Sequence, residues 1–384
     1  MERTLIAAGT IITPFEQLEN RDILIGEGRI LRIDRPGAIP EFDRRIDARD
    51  KIVAPGFIDV HVQGAGGADV LDATTEALDT IALTCARFGV TGFLATTVYR
   101  PGGENVHLRV ASAACSQNLK GAELLGIHLE GPFIAKGKRG MIQEDCLAPV
   151  DGAILGRIRR LCDGHLRMMT IAPELPGALE LISALRAEGV VCSFGHSQAD
   201  YEQTAAGIEA GIRHATHLYN AMTVMHHRDP GPIPALLESE AVSAQIIADG
   251  VHIHPAMLRM AVRALGEDRP VLITDGTQAM GLPDGRYQYN GLEYESRNGT
   301  ARYLDGTLIG TSLGMSQLVV RCISHGVCSL RQAVRAASYN PASILGLQES
   351  KGSLEEGKEA DLIILNRDLS VHRTYHSGHC VYGA

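Results

Sequence analysis

Apolar and polar positions alternate at both ends of the chain. The first residues read TLIAAGTIIT and then DILIGEGRILRID, in which GEG predicts a tight reversal between two short strands. Near the other end, KGSLEEGKEADLIILN and VHRTYHSGHCVYG repeat this pattern of short strands and glycine-containing turns. Neither end is long enough to bury a sheet of its own. We therefore expect residues 1–54 and 336–384 to pair into one small β-sandwich domain.

The middle of the chain, residues 55–335, changes to continuous apolar runs separated by segments of helical spacing, such as TTEALDTIALTCARFG. This alternation is typical of a parallel sheet with both faces covered. Eight apolar runs can be counted: IVAPGFIDVHV, VTGFLATTV, ELLGIHLEG, LRMMTIAPE, GVVCSFGHS, IRHATHLYN, AQIIADGVH and PVLITDG. They favour an α/β fold with a closed (β/α)8 TIM barrel as the catalytic domain. An open doubly wound sheet is the alternative, but GAGG at residues 64–67 lacks the GxGxxG spacing of its phosphate turn.

Ionisable and amide side chains stand where these runs end. They are His61, Gln63, Glu130, His196, His217, His252 and Asp275. Catalytic groups of a TIM barrel project from the C-terminal ends of the strands, so these side chains would converge on the barrel axis. Taken singly, a histidine after a strand is more often a packing residue than a ligand. Independent packing roles would not place six ionisable groups at the same end of successive strands.

Imidazole and carboxylate groups in such a cluster suit a borderline divalent ion, zinc first, and iron, manganese and cobalt accept the same ligands. The ion lowers the pKa of bound water and polarises a carbonyl, so amide hydrolysis then needs one nearby base. Asp275 in LITDG is the natural base, and it could pass the proton to the leaving amine. The pattern therefore indicates a metal-dependent amide hydrolase.

Composition limits the partners. The 384 residues are 45% hydrophobic and carry a net charge of -9 without any basic block, which favours a small-molecule substrate over nucleic acid. The first apolar stretch is too short for a secretory signal, and no run approaches the roughly 20 apolar residues of a membrane span. We expect a cytoplasmic protein without a membrane partner. Eight cysteines without a CxxC pair predict reduced thiols.

At these residues the sequence resembles the amidohydrolase superfamily, and more narrowly the family of N-acetylglucosamine-6-phosphate and N-acetylgalactosamine-6-phosphate deacetylases, along nearly its whole length. APGFIDVHVQG resembles the first-strand metal motif, HLEGPF the glutamate-ligand strand, FGHS and THLYNAM the histidine-ligand strands, and LITDG the catalytic aspartate strand. The resemblance implies that Glu130, His196 and His217 hold the metal and that Asp275 is the base.

The same resemblance implies a phosphorylated N-acetyl amino sugar as substrate. THLYNAM followed by HHRDPG is similar to the family's phosphate-binding segment, in which the backbone N–H groups of Asn220 and Ala221 and the guanidinium of Arg228 would meet a 6-phosphate. Arg228 has a second interpretation, as a surface residue paired with Asp229. His252 would contact the sugar or the acetyl group. By analogy we expect a homodimer, with Arg228 reaching across the subunit boundary.

The sequence departs from the family pattern in three respects. His61-Val62-Gln63 stands where two-metal members have His-x-His, so the resemblance implies one ion per subunit, with any second metal at His61 and Gln63 weakly held. After HLEGPF, Ile142 stands where a sugar-contacting histidine is expected. Gly276 in LITDG and the segment IGTSLGM also differ, which predicts an altered pocket floor.

Three functions remain open at this point. The leading one is hydrolysis of the acetamide of N-acetylglucosamine 6-phosphate or N-acetylgalactosamine 6-phosphate to the amino sugar phosphate and acetate. The second keeps the chemistry but acts on a different N-acyl amine or phosphorylated N-acyl sugar derivative. The third is a non-catalytic barrel that serves as a scaffold or binding protein. A non-catalytic barrel should have lost its metal ligands and its base. The predicted ligands and the predicted base are all present in this sequence.

Overall fold

The structure is a computed structural model that describes residues 2–383. Along these residues the strands are β1 (Thr4–Ile12), β2 (Gln17–Gly26), β3 (Arg29–Asp34), β4 (Arg44–Pro55), β5 (Phe57–Val62), β6 (Gly64–Ala65), β7 (Ala68–Asp69), β8 (Val90–Thr97), β9 (Glu123–Glu130), β10 (Leu166–Ile171), β11 (Val191–Phe194), β12 (His214–Ala215), β13 (Ser243–Ile246), β14 (Pro270–Leu272), β15 (Gly285–Tyr289), β16 (Leu292–Arg297), β17 (Thr300–Tyr303), β18 (Leu308–Thr311), β19 (Leu362–Leu365), β20 (Val371–His376) and β21 (His379–Tyr382).

The α-helices are α1 (Thr75–Arg87), α2 (Val106–Ala114), α3 (Gly152–Cys162), α4 (Ala178–Ala187), α5 (Tyr201–Ala210), α6 (Pro232–Glu238), α7 (Pro255–Leu265), α8 (Met315–Ser324), α9 (Leu330–Ala337) and α10 (Tyr339–Ile344). Short 3-10 turns lie at Val70–Asp72, Lys136–Lys138 and Glu144–Cys146. None of the helices within residues 2–383 has the length and apolar character needed to cross a bilayer.

The eight strands of the barrel are parallel and follow the order β5-β8-β9-β10-β11-β12-β13-β14. Every predicted apolar run overlaps one of them. The sheet closes on itself beyond the ends of β5 and β14, where Val62 and Gly276 form a parallel bridge and the Asp275 N–H donates to the His61 carbonyl at 2.9 Å. The prediction of a (β/α)8 barrel is thus confirmed. Its strands are buried on both faces, which explains their continuous apolar runs.

The two ends of the chain pair as predicted. They form one seven-stranded sheet in the order β21-β20-β19-β4-β1-β2-β3, in which β19 lies antiparallel to β4 with Ile364 opposite Val53. Apolar side chains from both ends, among them Ile6, Ile25 and Leu362, form a core of their own. Side chains such as Ile363 on the sheet also join the barrel core, so the two units pack against each other.

The division of the chain into two domains remains a prediction. On the amino-terminal side, residue 54 lies near the end of β4. On the carboxy-terminal side, residue 336 lies inside α9, and both α9 and α10 contact strands β5 and β14 of the barrel. These two helices cover the barrel, and the chain enters the terminal sheet again only at β19.

A four-stranded antiparallel sheet, β15 to β18, follows the last barrel strand and was not predicted. Its first two turns contain Asn290-Gly291 and Asn298-Gly299, and all four residues have positive φ. That is the sequence and geometry of two-residue hairpin turns. Strand β18 passes so close to the barrel mouth that a Cβ on Gly310 would lie 2.3 Å from the Asp275 carbonyl oxygen. The close approach explains why glycine stands there.

Candidate metal centre

The polar side chains at the strand ends meet at the barrel mouth. His61 lies in β5 and Glu130 ends β9, while His196, His217 and Asp275 follow β11, β12 and β14, and all five are buried. His196, His217 and Asp275 have φ values of 48°, 26° and 48°. Residues other than glycine rarely adopt this left-handed region, and such positions concentrate at functional sites. The turn it produces directs each side chain to the barrel axis.

Glu130, His196 and His217 form the centre of this cluster. Glu130 Oε1 lies 2.9 Å from His196 Nε2 and 3.0 Å from His217 Nε2, and the two nitrogens are 3.1 Å apart. One ligand atom from each residue lies within 4.8 Å of the others, which suits a single ion. Burial raises the pKa of Glu130, but the nearby imidazoles of His61 and His196 and the hydrogen bonds from the two ligand histidines hold it well below its ordinary value. Glu130 is therefore available as an anionic ligand.

The protonation of His196 also fits a metal. Its Nδ1 lies 2.7 Å from the Lys138 carbonyl oxygen, which can only accept a hydrogen bond. Nδ1 therefore carries a proton, so Nε2 is the nitrogen that can offer its lone pair to a metal. Metal-binding histidines commonly donate their other N–H to a carbonyl or carboxylate, which fixes the ring orientation. The donor set, its burial and this tautomer together fit a divalent ion.

His61 approaches the same centre from β5. The side-chain oxygen of Gln245 accepts a hydrogen bond from the backbone N–H of His217 at 3.1 Å. The same oxygen lies 2.9 Å from His61 Nδ1, and because an amide oxygen can only accept, Nδ1 must be the donor. His61 therefore carries a proton on Nδ1, and its Nε2 lies 3.3 Å from Asp275 Oδ1 and 3.7 Å from Glu130 Oε1. The amide nitrogen of Gln63 donates to Asp275 Oδ1 at 3.4 Å. Gln63 therefore presents an N–H group to the centre, and an N–H group cannot bind a metal. A second metal at His61 and Gln63 remains a prediction.

A buried hydrogen-bond pair lies beneath Asp275. The Thr274 hydroxyl donates to the Asp59 carboxylate, which also accepts from the backbone N–H of His61. Burial raises the pKa of Asp59 to about 6, although these hydrogen bonds oppose the shift. Asp59, Thr274 and Gln245 were not predicted. A signal existed for Asp59, since residues two apart in a strand share a face and Asp59 shares the face of His61.

A cavity of about 340 Å³ opens in front of the ligands. Of the predicted substrate residues, Asn220, Ala221 and His252 line it. His252 Nδ1–H donates to Asp249 at 2.7 Å, which leaves Nε2 facing away from that carboxylate. The backbone N–H of Asn220 donates to the His217 carbonyl at 2.9 Å, so this predicted phosphate donor is engaged in a turn. The Ala221 N–H donates to no atom of residues 2–383.

The predicted phosphate contact Arg228, and Ile142 in the place of the expected sugar-contacting histidine, do not line this cavity. Arg228 is exposed, and its guanidinium contacts His227 at 2.8 Å. Ile142 is 1% exposed and packs in an apolar cluster with Tyr289 and Tyr294. Met141, rather than Ile142, lines the cavity from this segment, together with Leu308 and Ile309 of β18. The wall expected to carry a sugar-contacting histidine is therefore apolar.

The chain is similar to known proteins over nearly its whole length. The model of the amidohydrolase family matches residues 52–381. The N-acetylglucosamine-6-phosphate deacetylase of Bacillus subtilis (strain 168) is 36% identical over 99% of this chain and 98% of that protein. The N-acetylgalactosamine-6-phosphate deacetylase of Escherichia coli O157:H7 is 33% identical over 97% and 98%. A solved mutant of the N-acetyl-D-glucosamine-6-phosphate deacetylase of Mycobacterium smegmatis, in complex with N-acetyl-D-glucosamine-6-phosphate, is 34% identical, has a TM-score of 0.92 and covers 99% of this chain and 100% of that one.

Proposed function

Because the chain belongs to the amidohydrolase family and, within it, to the deacetylases of N-acetylhexosamine 6-phosphates, we propose that it hydrolyses the acetamide of N-acetylglucosamine 6-phosphate or N-acetylgalactosamine 6-phosphate. The products are the amino sugar 6-phosphate and acetate. The observation that carries the proposal is the buried group of Glu130, His196 and His217, with the carboxylate of Asp275 beside it at the base of an open cavity.

In this proposal Glu130, His196 and His217 hold one divalent ion, and zinc suits their mixture of imidazole and carboxylate. Such an ion, when bound, lowers the pKa of water and polarises the amide carbonyl. The protein supplies a negative ligand in Glu130 and an imidazole whose lone pair is fixed by the Lys138 carbonyl. Burial of the three ligands keeps bulk water from competing with the substrate.

Asp275 is the proposed general base. Its Oδ1 lies 3.3 Å from His61 Nε2 and accepts from the Gln63 amide at 3.4 Å, so the carboxylate is held at the cavity floor. It takes a proton from the water whose oxygen attacks the acetyl carbon, and it returns this proton to the nitrogen as the C–N bond breaks. The nitrogen leaves as a neutral amine and the acetyl group leaves as acetic acid, which then gives its proton to the amine or to water and becomes acetate.

The substrate contacts are proposed as follows. Ala221 offers a backbone N–H at the cavity wall, and His252, fixed by Asp249, offers its Nε2 to the sugar or acetyl group. Asn220 lines the same wall. Arg228 is exposed and does not line the cavity of its own subunit, which supports a homodimer in which Arg228 reaches the 6-phosphate bound by the neighbouring subunit.

A second candidate function is favoured by the apolar wall that Met141, Leu308 and Ile309 form. Such a wall suits an acyl or sugar group that needs no hydrogen bond at this point. A different phosphorylated N-acyl sugar, or another N-acyl amine, is therefore the alternative substrate.

Acetate release from a panel of compounds tests these proposals. The panel contains N-acetylglucosamine and N-acetylgalactosamine, each with and without the 6-phosphate, and N-acyl derivatives with longer chains. We expect turnover of at least one N-acetylhexosamine 6-phosphate and much weaker turnover of its unphosphorylated form. Equal rates with and without the phosphate would reject the sugar phosphate as the substrate class, and a preference for longer acyl groups would support the alternative.

A further inference from the structure

Lys138 occupies an unusual position between the metal ligands and the substrate wall. It ends the short 3-10 turn that follows β9, and its side chain is half-buried and lines the cavity. The backbone carbonyl of Lys138 accepts the His196 Nδ1–H at 2.7 Å, while its Nζ donates to the Met222 carbonyl at 2.8 Å. Met222 directly follows Ala221. One residue therefore contacts both a ligand histidine and the wall where the phosphate is expected.

The charge of the cavity makes Lys138 stand out. The lining side chains include two carboxylates, Glu130 and Asp275, and within residues 2–383 Lys138 is the one Lys or Arg among them. Arg228 is exposed outside the cavity. A phosphate monoester carries close to two negative charges at neutral pH. If Lys138 did not contact it, the phosphate would face these carboxylates without any cation from the same subunit. A cation at this wall, in addition to any supplied by the neighbouring subunit, would offset the repulsion from the two carboxylates.

The hydrogen-bonding capacity of Lys138 supports the same role. An ammonium has three N–H donors, and the Met222 carbonyl accepts one of them. Two donors remain for a ligand. The Ala221 N–H, in a residue with φ of 53°, lies one residue before the carbonyl that Lys138 contacts. A phosphate at this wall could therefore accept from the Ala221 N–H and from the Lys138 ammonium together.

We propose that Lys138 binds the substrate phosphate from within the same subunit and so sets the preference for phosphorylated substrates. This inference rests on the proposed function. A purely structural role is the competing explanation, since the bond to Met222 also fastens the 3-10 turn to the substrate wall. The two explanations differ in what the charge does: a fastening bond affects every substrate, whereas a phosphate contact affects only phosphorylated ones.

The test compares Lys138→Met, Lys138→Arg and the wild type. Lys136→Met is the matched control, because Lys136 lies in the same turn but is exposed and pairs with Glu144 at 3.0 Å. For each protein, kcat and KM are measured with an N-acetylhexosamine 6-phosphate and with the unphosphorylated sugar. The dissociation constant of inorganic phosphate is measured by calorimetry. Metal content and thermal unfolding confirm that each variant is folded and loaded.

For Lys138→Met we expect kcat/KM on the phosphorylated substrate to fall about 10- to 100-fold, mainly through KM, as for a lost charge-assisted hydrogen bond. Turnover of the unphosphorylated sugar should stay within about twofold, inorganic phosphate should bind more weakly, and Lys138→Arg should recover most of the loss. Lys136→Met should resemble the wild type.

Equal losses on both sugars, or unchanged phosphate affinity, would overturn the inference in favour of a fastening role. If Lys138→Met does not fold, Lys138→Gln replaces it in the phosphate calorimetry: weaker binding than to the wild type, recovered in Lys138→Arg, supports the inference, and equal binding to Lys138→Gln and the wild type contradicts it. Absence of acetate release from every phosphorylated sugar by the wild type would instead reject the proposed function itself.

Discussion

Replacing Gln245 with leucine tests how the protein orients the residues around the metal. Gln245 is fully buried, and its oxygen accepts from the His217 backbone N–H and from His61 Nδ1–H. Leucine has a similar volume but no acceptor, so Gln245→Leu leaves both donors without their partner. A buried donor that loses its acceptor costs about 1–3 kcal/mol.

The two donors differ in how they can respond. The His217 N–H belongs to the backbone and has no alternative, so its cost of about 1–3 kcal/mol remains. A neutral His61 can move its proton from Nδ1 to Nε2, where Asp275 Oδ1 lies 3.3 Å away and can accept it after a small rotation of the ring. We therefore expect a total destabilisation of about 1–3 kcal/mol, and not the ~2–6 kcal/mol that two unrelieved donors would cost. The new bond to Asp275 also occupies the proposed base, so kcat should fall.

The assay has two parts. Urea unfolding in the presence of a chelator gives the free energy without the contribution of metal binding. Nitrogen-15 NMR of the imidazoles gives the tautomer, with His61 assigned from the spectrum of His61→Gln. Gln245→Glu is the control, because it keeps an acceptor oxygen and should keep the Nδ1–H tautomer. Stability within about 0.5 kcal/mol of the wild type, together with an unchanged His61 tautomer in Gln245→Leu, would refute the assignment of Gln245 as the shared acceptor.

Three further predictions follow from other parts of the molecule. Asp275→Asn should keep its metal and lose about 100- to 10,000-fold in kcat, as for a lost general base; substantial remaining turnover would reject Asp275 in that role. Lys351 is buried and lies 2.7 Å from Glu123 and 2.9 Å from Asp361, so Lys351→Met should destabilise the protein by about 3–5 kcal/mol, measured by urea unfolding. The exposed Lys120, paired with Asp79 at 3.2 Å, is the control, and Lys120→Met should cost less than about 1 kcal/mol; equal effects would contradict the argument from burial. Burial lowers the pKa of His376, but the hydrogen bond and charge of Asp361 at 3.0 Å outweigh it and raise the pKa above the ordinary value of 6.5. The stabilisation from His376 is therefore fully present below pH 6.5 and is lost as the pH rises through the raised value. The difference in melting temperature between the wild type and His376→Gln should shrink from pH 6 to pH 9, and a difference that grows over this interval would reverse the sign of the argument.

The barrel could be predicted from the sequence because its strands are buried on both faces and appear as continuous apolar runs. The sheet of β15 to β18 was missed because strands such as GRYQY and LEYESR are partly exposed and carry little apolar signal. The turns of this sheet did carry a sequence signal, since Asn-Gly between short strands indicates a hairpin. The consequence is functional, because β18 supplies Leu308 and Ile309 to the cavity wall.

The convergence of Glu130, His196, His217 and Asp275 could be predicted because strand ends in a barrel meet at one mouth. The partners of these residues could not. Gln245 reaches His61 only through the register of strands that are far apart in sequence, and Lys138 reaches Met222 only through the conformation of its turn. The placement of Arg228 likewise depends on the conformation of an exposed segment rather than on a strand end.

Metal titration of acetate release tests the central claim most directly. Protein freed of metal by a chelator is mixed with increasing zinc, and acetate formed from N-acetylglucosamine 6-phosphate and from N-acetylgalactosamine 6-phosphate is measured at each step. The single group of Glu130, His196 and His217 predicts a rate that rises from near zero and reaches its plateau at one equivalent of metal per chain. Full activity without metal, or no acetate from either sugar phosphate at any metal concentration, would contradict the account.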